Sequence, residues 1–167
     1  RIIKNQKESG TSVMGNKTKP FLGSWICAEE FSKLPPIPLF HRDGQPLSNY
    51  QHQETLKNYH TWFRKSFYLI KTSKSVYYIR ITADDYYKLY INGSFVGQGP
   101  APGYYFAYYY NEYDISSYLT DGENSIEVHT YYQGLVNRVW NSGDYRQGMI
   151  ADILESGSIL LSSGTDW

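Results

Sequence analysis

A chain of 167 residues suits one domain burying roughly two-thirds of its unfolded surface. Its 16 basic and 16 acidic residues cancel, which argues against nucleic acid or an anionic membrane held through bulk charge. No apolar run approaches the roughly eighteen residues of a membrane span, and the single cysteine, Cys27, excludes an internal disulfide or a multi-cysteine zinc site. What stands out is a polar aromaticity, with 18 tyrosines against 7 phenylalanines. Tyrosine suits half-buried strands and contact surfaces, because its ring packs while its hydroxyl stays hydrated or bonded. Cys27 itself reads as a small buried apolar residue. Secreted, periplasmic and cytoplasmic locations all fit. A start without methionine, no signal-peptide core and a stop at Asp166-Trp167 suggest a piece of a longer multi-domain chain.

Taken in order, residues 1–20 are polar and aperiodic, a flexible lead-in or peripheral strand, and residues 21–167 read as one β-sandwich domain. Phe21-Leu-Gly-Ser-Trp-Ile-Cys-Ala28 is a short apolar run that could enter the sandwich as a strand. Residues 29–61 show no period, and Leu34-Pro-Pro-Ile-Pro-Leu-Phe40 excludes a helix interior or central strand. His41, His52 and His60 match no zinc spacing and read as polar residues of a long loop.

From Trp62 the alternation sharpens. Trp62–Ile70 is a strand with Phe63, Phe67 and Leu69 inward, and Ser75–Thr82 a strand with Tyr77, Ile79 and Ile81 inward. In Tyr86–Ile91, Tyr87, Leu89 and Ile91 share one face, leaving Tyr86, Lys88 and Tyr90 outside. Asn92-Gly93 then predicts a type I′ hairpin returning through Ser94–Gly97. Gln98–Gly103 is a glycine-proline bend, and Tyr104–Tyr110 is too rich in tyrosine for alternation to sort. Asp114 would cap one helical turn over Ile115–Leu119. A turn at Thr120–Asn124 leads into Ser125–Tyr131, with Ile126, Val128 and Thr130 inward; 133–148 is a long loop. Met149–Leu154 and Ser158–Ser162 form a final hairpin. Short strands, regular turns and one short helical turn give an all-β, antiparallel sandwich.

Sugar sites join an aromatic platform to amide, carboxylate or guanidinium partners, each contact contributing about one kcal/mol. Tyr104, Tyr105, Tyr108, Tyr109 and Trp140 are candidate platforms, with Arg138, Asn141, Asp144 and Arg146 as polar partners. Packing of the sandwich or of a neighbouring domain is the competing role for these aromatics. No Gly-x-Ser-x-Gly, His-Glu-x-x-His or phosphate loop is present, so no catalysis is expected within these residues.

Several segments then come in a familiar order: Trp62-Phe-Arg-Lys-Ser-Phe67, Ala83–Pro100, Tyr113–Leu119 followed by Asp121-Gly-Glu-Asn124, Arg146-Gln-Gly-Met-Ile-Ala-Asp-Ile153 and Thr165-Asp-Trp167. Over 62–167, with Ser24-Trp-Ile26 upstream, the chain resembles the N-terminal, non-catalytic sandwich of bacterial α-L-rhamnosidases. Cys27 departs from the Trp-Ile-Trp pattern common there, and Tyr104–Tyr110 is unusually rich in tyrosine. The resemblance implies a jelly roll of the galactose-binding type, with carbohydrate such as an L-rhamnose-containing glycan and the parent chain's own domains as partners. It further implies an accessory domain that holds substrate near a helical barrel elsewhere in a glycoside hydrolase. In some relatives calcium mediates rhamnose binding, and motif position puts Asp84 and Asp85 there, as sugar and metal ligands. A purely structural module and a sugar-binding sandwich from another glycosidase family are the alternatives.

Overall fold

The computed structural model describes residues 2–4, 21–34, 54–103, 107–134 and 147–167. In chain order these form β1 (Ile2–Lys4), a one-turn helix α1 (Glu29–Ser32), a 3-10 turn at Glu54–Leu56, β2 (Tyr59–Leu69), β3 (Tyr77–Asp84) and β4 (Tyr86–Ile91). There follow β5 (Ser94–Gly99), β6 (Ala107–Tyr109), β7 (Asn111–Asp114), β8 (Gly122–Tyr132), β9 (Gly148–Glu155) and β10 (Ser158–Ser162). One sheet runs β10-β9-β3-β7 and the other β2-β8-β4-β5, with every pairing antiparallel. β1 and β6 make a small separate ribbon.

The core lies between the two four-stranded sheets. Tyr77, Ile79 and Ile81 of β3 and Ala151 and Ile153 of β9 meet Phe63, Leu89, Ile91, Ile126 and Val128 from the other sheet. Each buried aliphatic side chain contributes about 1.5–3 kcal/mol before chain entropy is counted, so this alternation dictates which way every strand faces. The inward residues expected for these strands are those found inside, with Phe67 only partly buried against the core. The Asn92-Gly93 hairpin is present with φ of 49° and 77° at its two central residues, the left-handed pair that a type I′ turn requires.

Polar side chains finish the scaffold, and several belong to the motifs quoted above. Asn92 donates to Asn124 Oδ1 at 2.8 Å and to the Tyr118 carbonyl at 2.9 Å, and accepts the Ser125 amide at 2.8 Å. The Asn-Gly and Gly-Glu-Asn motifs therefore lock one another. Asp152 is buried and accepts the amides of Leu22 and Gly23 at 2.6 and 2.9 Å. Buried Gln147 reaches Thr61 and Thr130 at 3.1 and 3.0 Å and accepts the Ala28 amide at 3.0 Å. Gly148, at φ 152°, lets the chain pass against Ile26, whose carbonyl would lie 2.3 Å from any added Cβ. Lys65 pairs with Asp166, and the Trp167 indole donates to the Ser162 carbonyl at 3.1 Å.

Four expectations need correction. Phe21–Ala28 is no strand: Asp152 takes the Leu22 and Gly23 amides and Gln147 that of Ala28, which leaves, among the described residues, backbone partners only for Ser24, on Ser163, and Ile26, bridged to Met149. Cys27 on that segment is exposed rather than buried. Residues 116–118 form a turn, not a helical stretch, with Ser116 N–H on Asp114 Oδ1 at 2.9 Å and Tyr118 N–H on the Ile115 carbonyl at 3.0 Å. His60 is not in a loop, since β2 begins at Tyr59. His41 and His52 lie outside the described residues.

Candidate functional site

Strand period alone decides what the outer face of β2-β8-β4-β5 carries. With Phe63, Val128 and Leu89 pointing in, their neighbours must point out. Register sets Trp62 opposite His129, His60 opposite Tyr131, Lys88 opposite His129 and Tyr86 opposite Tyr131. Three strands thus deliver aromatic and imidazole rings to one patch.

The rings stack in a row. His60 and His129 lie 5.1 Å apart at 19°, and His129 and Trp62 are 4.6 Å apart at 14°. The Arg64 guanidinium sits 5.6 Å from the Trp62 ring, while Tyr131 leans on His60 at 4.9 Å. Sideways, Trp62 meets Tyr90 at 5.9 Å and Tyr90 meets Phe95 at 5.6 Å. Trp62 stays 47% exposed and Phe95 51%. Soluble proteins rarely leave such a continuous strip to water without a use for it.

At one end of this row opens a cleft of about 840 Å³. Tyr86, Tyr131, His60 and His129 line it with ring surface, and Lys88 enters from β4. Asn58, Gln98 and Asn111 bring amides, and Gly99, Pro100 and Ala101 close the side where β5 ends. On the inward side of the same strands, Phe31 of α1 packs edge-on against Tyr59 and Tyr132 at 5.2 and 5.1 Å. Asn58, with φ of 52°, accepts the Tyr131 hydroxyl at 2.6 Å and so fixes that ring.

The titratable groups here are tuned by their neighbours. His60 Nδ1 and His129 Nε2 are 3.0 Å apart, a bond that needs one nitrogen protonated and the other bare. Burial first, then the nearby His60 and Lys88, holds His129 below the ordinary imidazole range. Burial pushes the Tyr86 phenol up, helped by the Asp85 carboxylate and by Tyr131. Burial and the bond to Tyr113 push the Tyr87 phenol up, so it remains a neutral hydroxyl, donating to Asn111 Oδ1 at 2.8 Å. The cleft thus offers rings, neutral hydroxyls, amides and one lysine, the combination a sugar ring calls for.

The residues expected from sequence fall elsewhere or outside view. Asp84, 3% exposed at the end of β3, accepts the Tyr108 hydroxyl at 2.6 Å. Asp85, in the bend before β4, accepts the Gln133 amide at 2.7 Å and donates its own amide to the Tyr131 carbonyl at 3.3 Å. Neither lines the cleft, though Asp85 braces its Tyr86–Tyr131 edge. Tyr108 is buried, its ring 5.3 Å from Trp25 and tilted at 57°; Tyr109 is partly exposed. Tyr104, Tyr105, Arg138, Trp140, Asn141, Asp144 and Arg146 lie outside the described residues. Calcium takes six to eight oxygens. Asp84 and Asp85 each accept a protein hydrogen bond, and among the described residues no three His, Cys, Asp or Glu side chains gather as a metal group. Sequence reasoning missed His60 and His129, whose signal is only visible once β2 and β8 are laid side by side.

No protein-family profile matches the sequence, and no curated protein does either. Solved structures do match. A GH78 family rhamnosidase of Bacillus sp. GL1 is 26% identical with a TM-score of 0.62, over 88% of this chain and 13% of that one. An α-L-rhamnosidase from Dictyoglumus thermophilum is 28% identical with a TM-score of 0.51, over 65% of this chain and 13% of its own. The α-L-rhamnosidase of Streptomyces avermitilis, solved with L-rhamnose, shares the fold at 15% identity and a TM-score of 0.51, over 66% of this chain and 10% of that one. The sandwich is therefore a glycosidase-associated domain. More narrowly, it resembles a domain of α-L-rhamnosidases, and it spans 13% of the length of the first two.

Proposed function

We propose that this domain is the accessory, carbohydrate-binding and substrate-positioning part of an α-L-rhamnosidase-like glycoside hydrolase, with catalysis carried elsewhere in the parent chain. The observation that carries the reading is the cleft, where Tyr86 and Tyr131 offer ring faces beside the amides of Asn58, Gln98 and Asn111. Such a surface takes the C–H face of a neutral sugar and answers its hydroxyls, at about one kcal/mol for each good contact. Tyr104, Tyr105, Arg138, Trp140, Asp144 and Arg146 stay proposed as further sugar contacts on the sequence argument. In support, Ala101, shortly before the first pair, lines the cleft, and Gln133, shortly before the others, is held by Asp85.

Calorimetric titration of the 167-residue chain with L-rhamnose and methyl α-L-rhamnoside tests this. Saturable heat, weakened several-fold by Tyr86→Ala, is the expected result. The absence of heat with either sugar would sink it. The exposed Trp62–Tyr90–Phe95 strip favours a second role alongside, a seat for a neighbouring domain of the parent chain. In the full-length parent, Trp62 would then be shielded from a fluorescence quencher that reaches it in the isolated domain.

A further inference from the structure

The charge around the cleft points beyond a neutral sugar. Among the described residues no carboxylate lines it, whereas Lys88, His60 and His129 all do. Lys88 is exposed and makes no ion pair among the described residues, in contrast to Lys57, Arg64, Lys65 and Arg80, each of which meets a carboxylate within 4.0 Å. Two acids of the described residues flank the patch, and each has a partner. Glu127, on the outer face of β8, lies 3.5 Å from Arg64, and Asp85 accepts the Gln133 amide. Among the described residues, one ammonium outside any ion pair and two imidazoles therefore face a space of about 840 Å³ that no carboxylate lines. Because exposed cations are usually balanced only by solvent, Lys88 alone would mean little. Its placement between stacking rings and amide groups that already suit a saccharide is what gives it meaning.

Resting on the proposed sugar-binding role, we propose that the cleft selects acidic saccharides, with Lys88 receiving the carboxylate of a uronic acid unit. A charge-assisted contact from lysine to carboxylate is roughly twice as strong as its neutral counterpart, and His60 or His129 can supply a second N–H donor. The partner so defined is a glycan in which uronic acid accompanies the neutral sugar. A homopolymer of neutral sugar would offer Lys88 hydroxyl oxygens but no charged acceptor.

The test compares methyl β-D-glucuronide with methyl β-D-glucoside, which differ only in carboxylate against hydroxymethyl, and includes L-rhamnose as a third ligand. Each is titrated into the 167-residue chain and into Lys88→Gln, whose fold is checked by thermal melting. The glucuronide is expected to bind about tenfold more tightly than the glucoside, the equivalent of one well-placed charged contact, and the preference to vanish in Lys88→Gln. Equal affinities in the parent sequence, or a preference that survives Lys88→Gln, would overturn the acidic-sugar assignment. If L-rhamnose binds in that case, the general sugar-binding role stands without it. If no ligand of the three binds, the sugar-binding role itself falls and the assignment falls with it.

Discussion

The two faces of β2-β8-β4-β5 are written by the same strands yet obey different rules. Inward, Phe63, Leu89, Ile126 and Val128 are interchangeable in kind: each is apolar, buried and valued for its volume. Outward, His60, Trp62, Tyr86, Lys88, His129 and Tyr131 are particular in kind, since each brings a ring, a charge or a donor to a fixed neighbour. The inner face holds the sandwich together. The outer face tolerates exposure that the fold does not require, and that is the signature of a surface kept for contact.

This contrast can be broken by mutation. Leu89→Ala, fully buried, should cost about 2–5 kcal/mol of stability in urea unfolding, whereas Trp62→Ala on the other face should cost under about 1 kcal/mol. Equal costs would erase the distinction. Asp84→Ala comes next, at about 1–3 kcal/mol by the same measurement, because it removes the buried bond from the Tyr108 hydroxyl. A ligand role for Asp84 would instead lower affinity and leave stability alone. Tyr86→Ala should shift sugar affinity by about 1 kcal/mol, read by calorimetry, with little change in the unfolding midpoint.

The inner face was largely legible from sequence because β2, β3, β4 and β8 alternate with period two and Asn92-Gly93 names its own turn. Even there, polar insiders hid part of it. Thr61 and Thr130 sit on core-facing positions only because Gln147 bonds both, so the start of β2 lacked an apolar alternation and His60 read as loop. The outer face was half legible: Tyr86, Lys88 and Tyr90 were expected outside, but nothing local says that they meet His60 and His129. Those two histidines are 69 positions apart, and only the β2–β8 register unites them. Asp84 and Asp85 read as ligands by the motif position that the resemblance implies, while the Tyr108 and Gln133 donors they accept are distant in the chain and illegible locally.

Two smaller effects sharpen the same contrast. His129 titrates below the ordinary imidazole value in the folded chain, so the unfolded chain takes up its proton first as pH falls. That contribution to stability is complete above roughly pH 6.5 and is lost as pH drops below it, levelling off once the folded imidazole is also charged. Urea midpoints between about pH 7.5 and 5 should show the slope, and His129→Gln should flatten it. Least of all, a chelator should leave sugar affinity unchanged, since neither Asp84 nor Asp85 is among the residues that line the cleft. A calcium-dependent affinity would return the site to that corner.

The most direct measurement is backbone amide NMR of the chain during an L-rhamnose titration. A site on the outer face predicts shifts clustered at His60, Tyr86, Lys88, His129 and Tyr131, with Leu89 and Val128 nearly still. Saturating shifts confined to residues away from that face, or none at all, would contradict it.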